Sequence, residues 1–411
     1  MQRMRVMFAV SDFRPHYYPM VPLGWALQAA GHEVRVVCAP GQQQHIQHAG
    51  LTPVPVLRDM DPLLWARFGV HLAARSGTLP PDLGLVPLHP VTGEELASFE
   101  DFDSDAFLRT ARADTAAIMG QRISSSVDFA RQWRPDLVVH DLLNLDAVVP
   151  AKALGVPAVC HLTGPIGTEE TEWGLDFIPT HFSREYDRYG IEERGTDLIE
   201  HVVDICPPSM APPTRATRLQ VRHVPYNGPG AVPGTAVRRG DRPRVCVMWS
   251  ATVPLLYGAV AFTVPTVLEA LAGLDADVVL TMSTESCKRV GPLPANVELL
   301  EQAPVHTLLS TSDVLVHNGG AGAALAAIAA GVPQLCLTFG AEYRANGQRV
   351  SATGAGRVLP GLAGARDIRA TMRDLLGDPV FTERARALRD EMQSQPSPTE
   401  LAEVLEEMAM G

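Results

Sequence analysis

The chain has 411 residues, room for two domains of ordinary size. Apolar residues make up 46% of it and charged residues 19%, a globular balance that excludes intrinsic disorder. The net charge of −12, with no basic run of four or more residues, argues against a nucleic-acid partner, which needs a cationic face.

In chain order, residues 5–10 form an apolar run too short for a signal-peptide core and followed by charge rather than a cleavage site. No run of about 18 apolar residues without a charge or proline occurs, so no membrane span is expected and a cytoplasmic location is. A turn-rich loop at 11–15, a helical pattern over 21–30 stopped by Gly31, and a second apolar run at 34–39 complete a strand–helix–strand unit. Residues 58–125 have mixed polarity and weak periodicity, and read as insertion loops and helices capping the first domain. Short runs at 138–139 and 157–160 predict further strands. The stretch 207–240 is dense in proline and glycine, which neither a helix interior nor a central strand tolerates, and reads as an interdomain linker.

The same grammar then restarts: an apolar run at 244–249, a loop at 250–254, a helix near 264–274, and strands at 276–282, 314–316 and 334–337. Continuous apolar strands alternating with helices predict two parallel sheets, each covered on both faces. The expected domains are residues 1–206 and 241–411, with the last residues crossing back to the first domain. Ligands of such sheets sit outside the carboxyl ends of the strands, so two facing sheets share one cleft. The six cysteines are far apart and form no Cys-x-x-Cys pair, which suits small buried side chains in a reducing compartment.

The segment Val314-Leu315-Val316-His317-Asn318-Gly319-Gly320-Ala321-Gly322 runs from a strand through a small-residue turn into an Ala-rich helix. Small residues let a phosphate approach the backbone, and the free N–H groups at a helix start bind its charge. His317 stands where it can donate to a diphosphate oxygen. No Gly-x-x-x-x-Gly-Lys-[Ser/Thr] occurs, so a triphosphate P-loop is excluded. No Asp-x-Asp motif occurs either, so no metal ion is expected. His16, in the loop after the first strand, titrates in the range a general base needs. Such a base is usually oriented by a carboxylate. Asp141, at the end of the 137–140 strand, is the first candidate for that partner, with Asp12 and Asp146 behind it.

Several of these segments, in order, resemble family 1 glycosyltransferases of GT-B fold, most nearly the actinomycete enzymes that attach deoxysugars to polyketides such as macrolides. They are residues 8–10 with 15–27, Asp204 to Ser209, Val224 to Gly228, the His317–Gly322 turn, Ala330 to Leu335, and the tail around Glu391-Met392 and Pro396 to Pro398. The resemblance implies two Rossmann-like domains and an inverting displacement, with His16 as base. It implies a dTDP-deoxysugar donor as co-substrate, no further cofactor, and a lipophilic polyketide-type acceptor. On the donor side it implicates Thr252, Ala303, His317, Gly319, Gly320, Ala321, Gly322, Glu342 and Tyr343. Where the family usually has an Asp-Gln pair for the sugar, this chain has Glu342 and Tyr343. Ala251 and Ala323 stand where hydroxyl residues are common, and Gln302 where an aromatic ring often stacks on the base. Some relatives need an auxiliary protein, and a homodimer is also compatible. Two other readings stay open: a sugar-nucleotide epimerase of the same architecture, and a non-catalytic helper. A nicotinamide dehydrogenase is disfavoured, because the first strand leads into residues 11–16 without Gly-x-Gly-x-x-Gly.

Overall fold

The computed structural model describes residues 3–78, 86–170, 185–193, 195–234, 236 and 238–411. Residues 79–85 of the expected insertion, 171–184 and 194 of the expected first domain, and 235 and 237 of the expected linker lie outside that set.

Two all-parallel sheets form the protein. The first contains β1 (Arg5–Ala9), β2 (Glu33–Val37), β3 (Thr52–Val54), β4 (Leu137–Asp141), β5 (Ala158–His161), β6 (His201–Asp204) and β7 (Thr217–Gln220), in the order β3-β2-β1-β4-β5-β6-β7. The second contains β8 (Arg244–Met248), β9 (Asp277–Met282), β10 (Val297–Glu301), β11 (Val314–His317), β12 (Gln334–Thr338) and β13 (Gly356–Pro360), in the order β10-β9-β8-β11-β12-β13. In each sheet the first strand in the chain sits centrally. Val6 of β1 pairs with Val34 of β2 on one side and Leu137 of β4 on the other. Likewise Val245 of β8 pairs with Val278 of β9 and with Val314 of β11. Strand order reverses between β1 and β4 and between β8 and β11, and ligands of open parallel sheets bind at such switch points.

The central strands are apolar throughout because helices cover both faces: four of the five residues of β1 and all four of β11 are buried. One departure from the sequence reading concerns the linker. Its proline clusters end at Pro213, and Thr217-Arg218-Leu219-Gln220 offers uninterrupted N–H donors, so this piece pairs with β6 as an edge strand. Another concerns the capping region, which holds two helices, Pro62–Arg75 and Ser104–Trp133, started by the carboxylates of Asp61 and Asp103. The second helix spans 30 residues, yet six of its eight buried residues fall in its last twelve. Its first half carries little apolar signal.

The domains are not independent. One apolar cluster joins Val6, Phe8 and Leu27 of the first domain to Ala324, Leu325 and Ile328 of the second and to Leu401 and Leu405 near the C-terminus. The last helix, Pro398–Met410, packs on the Val21–Ala29 helix, and Glu406 meets the buried His32 ring at 2.7 Å. No helix among the described residues is long and apolar enough to cross a membrane.

Candidate functional site

At the end of β11 the chain turns through Asn318, Gly319 and Gly320 into the helix Ala321–Ala330. Gly319 has φ +84°, and a Cβ there would lie 2.5 Å from the Tyr343 carbonyl oxygen, so only glycine fits. Gly320 is the residue before the helix and brings no side chain to cap it. The first N–H to find a helical partner is that of Ala324, which donates to Gly320 O at 3.0 Å. The amides of Ala321, Gly322 and Ala323 are therefore left to a ligand or to water, with the positive end of the helix dipole behind them.

His317 is fully buried directly beneath this turn. Its Nδ1 accepts the Gly319 N–H at 3.1 Å, which puts the ring proton on Nε2, where Gln334 Oε1 accepts at 3.0 Å. Gln334 in turn donates to Ala324 O. Burial holds the imidazole down, at about 4, so the ring is neutral. The sequence reading gave His317 a direct bond to a diphosphate. With both nitrogens engaged, its contribution in this structure is to fix the turn that leads into the uncapped helix start. Asn346 adds a second tie, donating to Gly319 O at 3.0 Å. Asn318 adds a third: its Oδ1 accepts from Ser250 N–H at 2.9 Å and binds the turn to the loop after β8. Thr252 opens the short helix Thr252–Tyr257 in that loop. Ala303 is buried, and its carbonyl accepts from the Thr281 hydroxyl at 2.8 Å. Gln302 before it adopts φ +52°, a conformation a non-glycine residue rarely takes, and thereby sets the direction of the Ala303 backbone.

On the first sheet, His16 lies in the short helix Arg14–Tyr17 after β1 and is 6% exposed. Phe13 meets its ring edge-on at 5.1 Å. Burial pushes the imidazole down to about 4, and Nδ1 has no partner. Among the described residues no carboxylate bonds this ring. Asp141, expected to orient it, is fully buried and accepts from Ser11 N–H at 2.6 Å and Leu143 N–H at 2.8 Å. It secures the backbone that leads to His16 and makes no hydrogen bond to the imidazole. Asp12 pairs with Arg122 at 2.8 Å, and Asp146 accepts from the Tyr186 hydroxyl at 3.3 Å. The geometry thus offers three carboxylates near the switch point, each employed structurally.

Three contacts bring the two sheet ends together. A Cβ on Gly164, in the loop after β5, would lie 2.4 Å from Ala321 Cβ, so this loop presses on the start of the Ala321–Ala330 helix. Tyr18, two residues after His16, lies against Gly228, and the neighbouring Asn227 amide reaches Gly322 while its Oδ1 meets His306 Nδ1 at 3.0 Å. Glu170 and Arg349 pair across the domains at 3.0 Å.

The comparisons with known proteins decide the family. The model for the N-terminal domain of erythromycin biosynthesis protein CIII-like proteins matches residues 25–249, and the C-terminal model matches residues 265–408. The chain belongs to this CIII-like family. It is similar to the 3-alpha-mycarosylerythronolide B desosaminyl transferase of Saccharopolyspora erythraea, 31% identical over 99% of both chains. Among solved structures it resembles the spinosyn forosaminyltransferase SpnP, at TM-score 0.77 and 27% identity over 100% of both chains. It also resembles the glycosyltransferase VinC in complex with dTDP, at TM-score 0.69 and 29% identity, covering 99% of this chain and 100% of that one. The CIII-like chain is accordingly a glycosyltransferase of GT-B fold.

Within this CIII-like transferase, sequence reasoning passed over Asn318, Asn227, His306, Asn346 and the Glu170–Arg349 pair. Gln334 carried a legible signal, being a polar residue opening an otherwise apolar strand. Asn227 and His306 did not, because their meeting depends on how the linker threads between domains. Among the described residues no group of three or more His, Cys, Asp or Glu side chains is placed to hold a metal ion.

Proposed function

We propose that the protein transfers a deoxysugar from a dTDP-sugar to a hydroxyl of a polyketide-type acceptor with inversion at the anomeric carbon, and needs no metal or other cofactor. The observation that carries this reading is the uncapped start of the Ala321–Ala330 helix at the switch point of the second sheet. It suits a diphosphate leaving group, whose charge grows in the transition state and is best met by donors already in place. His317, Gln334, Asn346 and Asn318 hold those donors. By the family resemblance, the Ala303 backbone is assigned to the pyrimidine edge and the residues after β12 to the sugar.

His16 serves as the base. Its depressed titration keeps the imidazole neutral across the physiological range, with a lone pair available. A base this weak takes the acceptor proton late, once the oxygen has begun to bond the anomeric carbon and has become acidic. The acceptor oxygen forms the new C–O bond, the bond to the diphosphate breaks, and the proton passes to His16. Relatives named as transferases acting on erythronolide and aklavinone aglycones support the acceptor class. All the groups assigned to the chemistry belong to one chain, so the reading asks neither a second copy nor an auxiliary protein to supply a reacting group.

Mass-spectrometric assay of dTDP- and UDP-sugars against a panel of polyketide aglycones tests the proposal. Product with dTDP-deoxysugars, in the inverted configuration, is the expected result. Donor consumed without acceptor would instead make the protein an epimerase, and donor bound without turnover across the panel would make it a helper.

A further inference from the structure

Between the two sheets the linker touches both halves of the site in alternation over residues 226–230. Tyr226 meets two first-domain rings edge-on, Tyr18 at 5.3 Å and Trp25 of the Val21–Ala29 helix at 5.4 Å. Trp25 is itself anchored, its indole N–H donating to Ala49 O at 2.7 Å. Asn227 turns to the second domain. Its Oδ1 meets His306 Nδ1 at 3.0 Å, and its amide nitrogen lies 3.7 Å from where a Cβ on Gly322 would sit. Gly228 faces the first domain again. It has φ +90°, and a Cβ there would lie 3.0 Å from the Tyr18 hydroxyl oxygen. Gly230 returns to the second domain, where a Cβ would lie 2.5 Å from the Gln302 carbonyl oxygen.

Tyr18 is the residue through which this path reaches the first-domain histidine. Its N–H donates to Arg14 O and closes the single helical turn that carries His16. The Tyr18 ring is held on a further side by Tyr17, edge-on at 5.0 Å. A ring gripped by Tyr17, Tyr226 and the Gly228 backbone leaves that turn little freedom. The neighbouring residue, Asn227, rests at the start of the Ala321–Ala330 helix. Consecutive Cα atoms are about 3.8 Å apart at fixed geometry, so one peptide unit of linker spans from the His16 side to the helix start. A base and a leaving group carried on separate domains need their spacing held closely, because a 1 Å misplacement lowers turnover by about 10²-fold.

We propose that Tyr18 and the linker dipeptide Asn227-Gly228 are positioning residues, which together set the distance of His16 from the anomeric carbon of a donor held at the Ala321–Ala330 helix start. This inference rests on the reading of His16 as base. None of the three is assigned a proton or a bond in the transfer itself, and they act through the placement of the two turns they touch.

The test is a double-mutant cycle of Gly228→Ala and Tyr18→Phe, read as kcat at saturating substrates and as dTDP affinity by calorimetry. Gly228→Ala sets a Cβ against the hydroxyl oxygen and displaces the Tyr18 ring. It is expected to lower kcat roughly 30-fold while dTDP affinity stays within about threefold of wild type. Tyr18→Phe removes that oxygen, and the nearest ring carbon then lies 3.4 Å from the new Cβ, an ordinary contact. In this background Gly228→Ala is expected to lower kcat by less than about threefold. Backbone strain at φ +90° is common to both backgrounds, so an equal loss in the two overturns the inference. So does a Gly228→Ala protein that keeps its kcat, or one that loses dTDP affinity in step with kcat. The stoichiometry of dTDP binding counts the folded protein in each variant. Should Gly228→Ala fail to fold, Tyr226→Leu replaces it by removing the ring edge-on to Tyr18. That variant is expected to lower kcat roughly tenfold at unaltered dTDP affinity, and an unaltered kcat overturns the inference. Turnover preserved in His16→Ala would overturn the base reading itself and the inference with it.

Discussion

The two sheet ends that meet at the cleft are built to different degrees of completion. At the second sheet, a run of buried bonds from Gly319 through His317 and Gln334 to Ala324 fixes the turn before any ligand arrives. At the first, His16 is buried with one ring nitrogen unpartnered, and the acids Asp141 and Asp12 expected to orient it are committed to backbone and arginine. A charged leaving group gains most from donors that need no reorganisation. A base that acts late, on an acceptor still to be seated, does not require that rigidity. On the proposed reading, a prepared donor half faces an acceptor half that is completed by its substrate.

The largest effect expected from breaking this contrast is at His16. His16→Ala should lower kcat by about 10³-fold, within the range for general-base catalysis, while calorimetry finds dTDP binding unchanged, because the donor half is built without it. A matching loss of dTDP affinity would mean that the two halves are not separable.

Asp141 should give a smaller and different change. Asp141→Asn leaves one of the two buried N–H groups poorly satisfied, costing about 1–3 kcal/mol of stability in a denaturant melt. It should lower kcat roughly tenfold by loosening the His16 loop. The pH profile sharpens the assignment. Burial depresses the His16 imidazole, so the neutral base persists as pH falls and is lost only near 4. The acid limb of kcat/KM should therefore lie well below the ordinary histidine range, and should not move in Asp141→Asn. A limb near 6.5 in the wild type, displaced by that substitution, would restore Asp141 as a direct partner of the ring.

Much of the fold was legible because it is written in continuous apolar runs: β1, β8 and β11 fall within a residue or two of the predicted strands. The long helix Ser104–Trp133 was not, because its first half is exposed and needs no periodic apolar face. β7 was hidden by the prolines before it. In the site, the Gly-rich turn announced itself by composition. The bonds of His317 could not be foreseen, since they depend on Gln334 of the neighbouring strand, 17 residues away, pointing the same way. The role of Asp141 was likewise obscured: an acid at a strand end predicts a hydrogen bond, but the choice between an imidazole and two backbone amides is made by three-dimensional placement.

The most direct test of the account is a crystal structure of the dTDP complex. The account predicts diphosphate oxygens within hydrogen-bond distance of the amides of Ala321 to Ala323, with His317 still bonded to Gly319 and Gln334 and the His16 imidazole on the opposite wall of the cleft. A diphosphate bound away from that helix start, or held by a His317 ring turned out of its network, would contradict it.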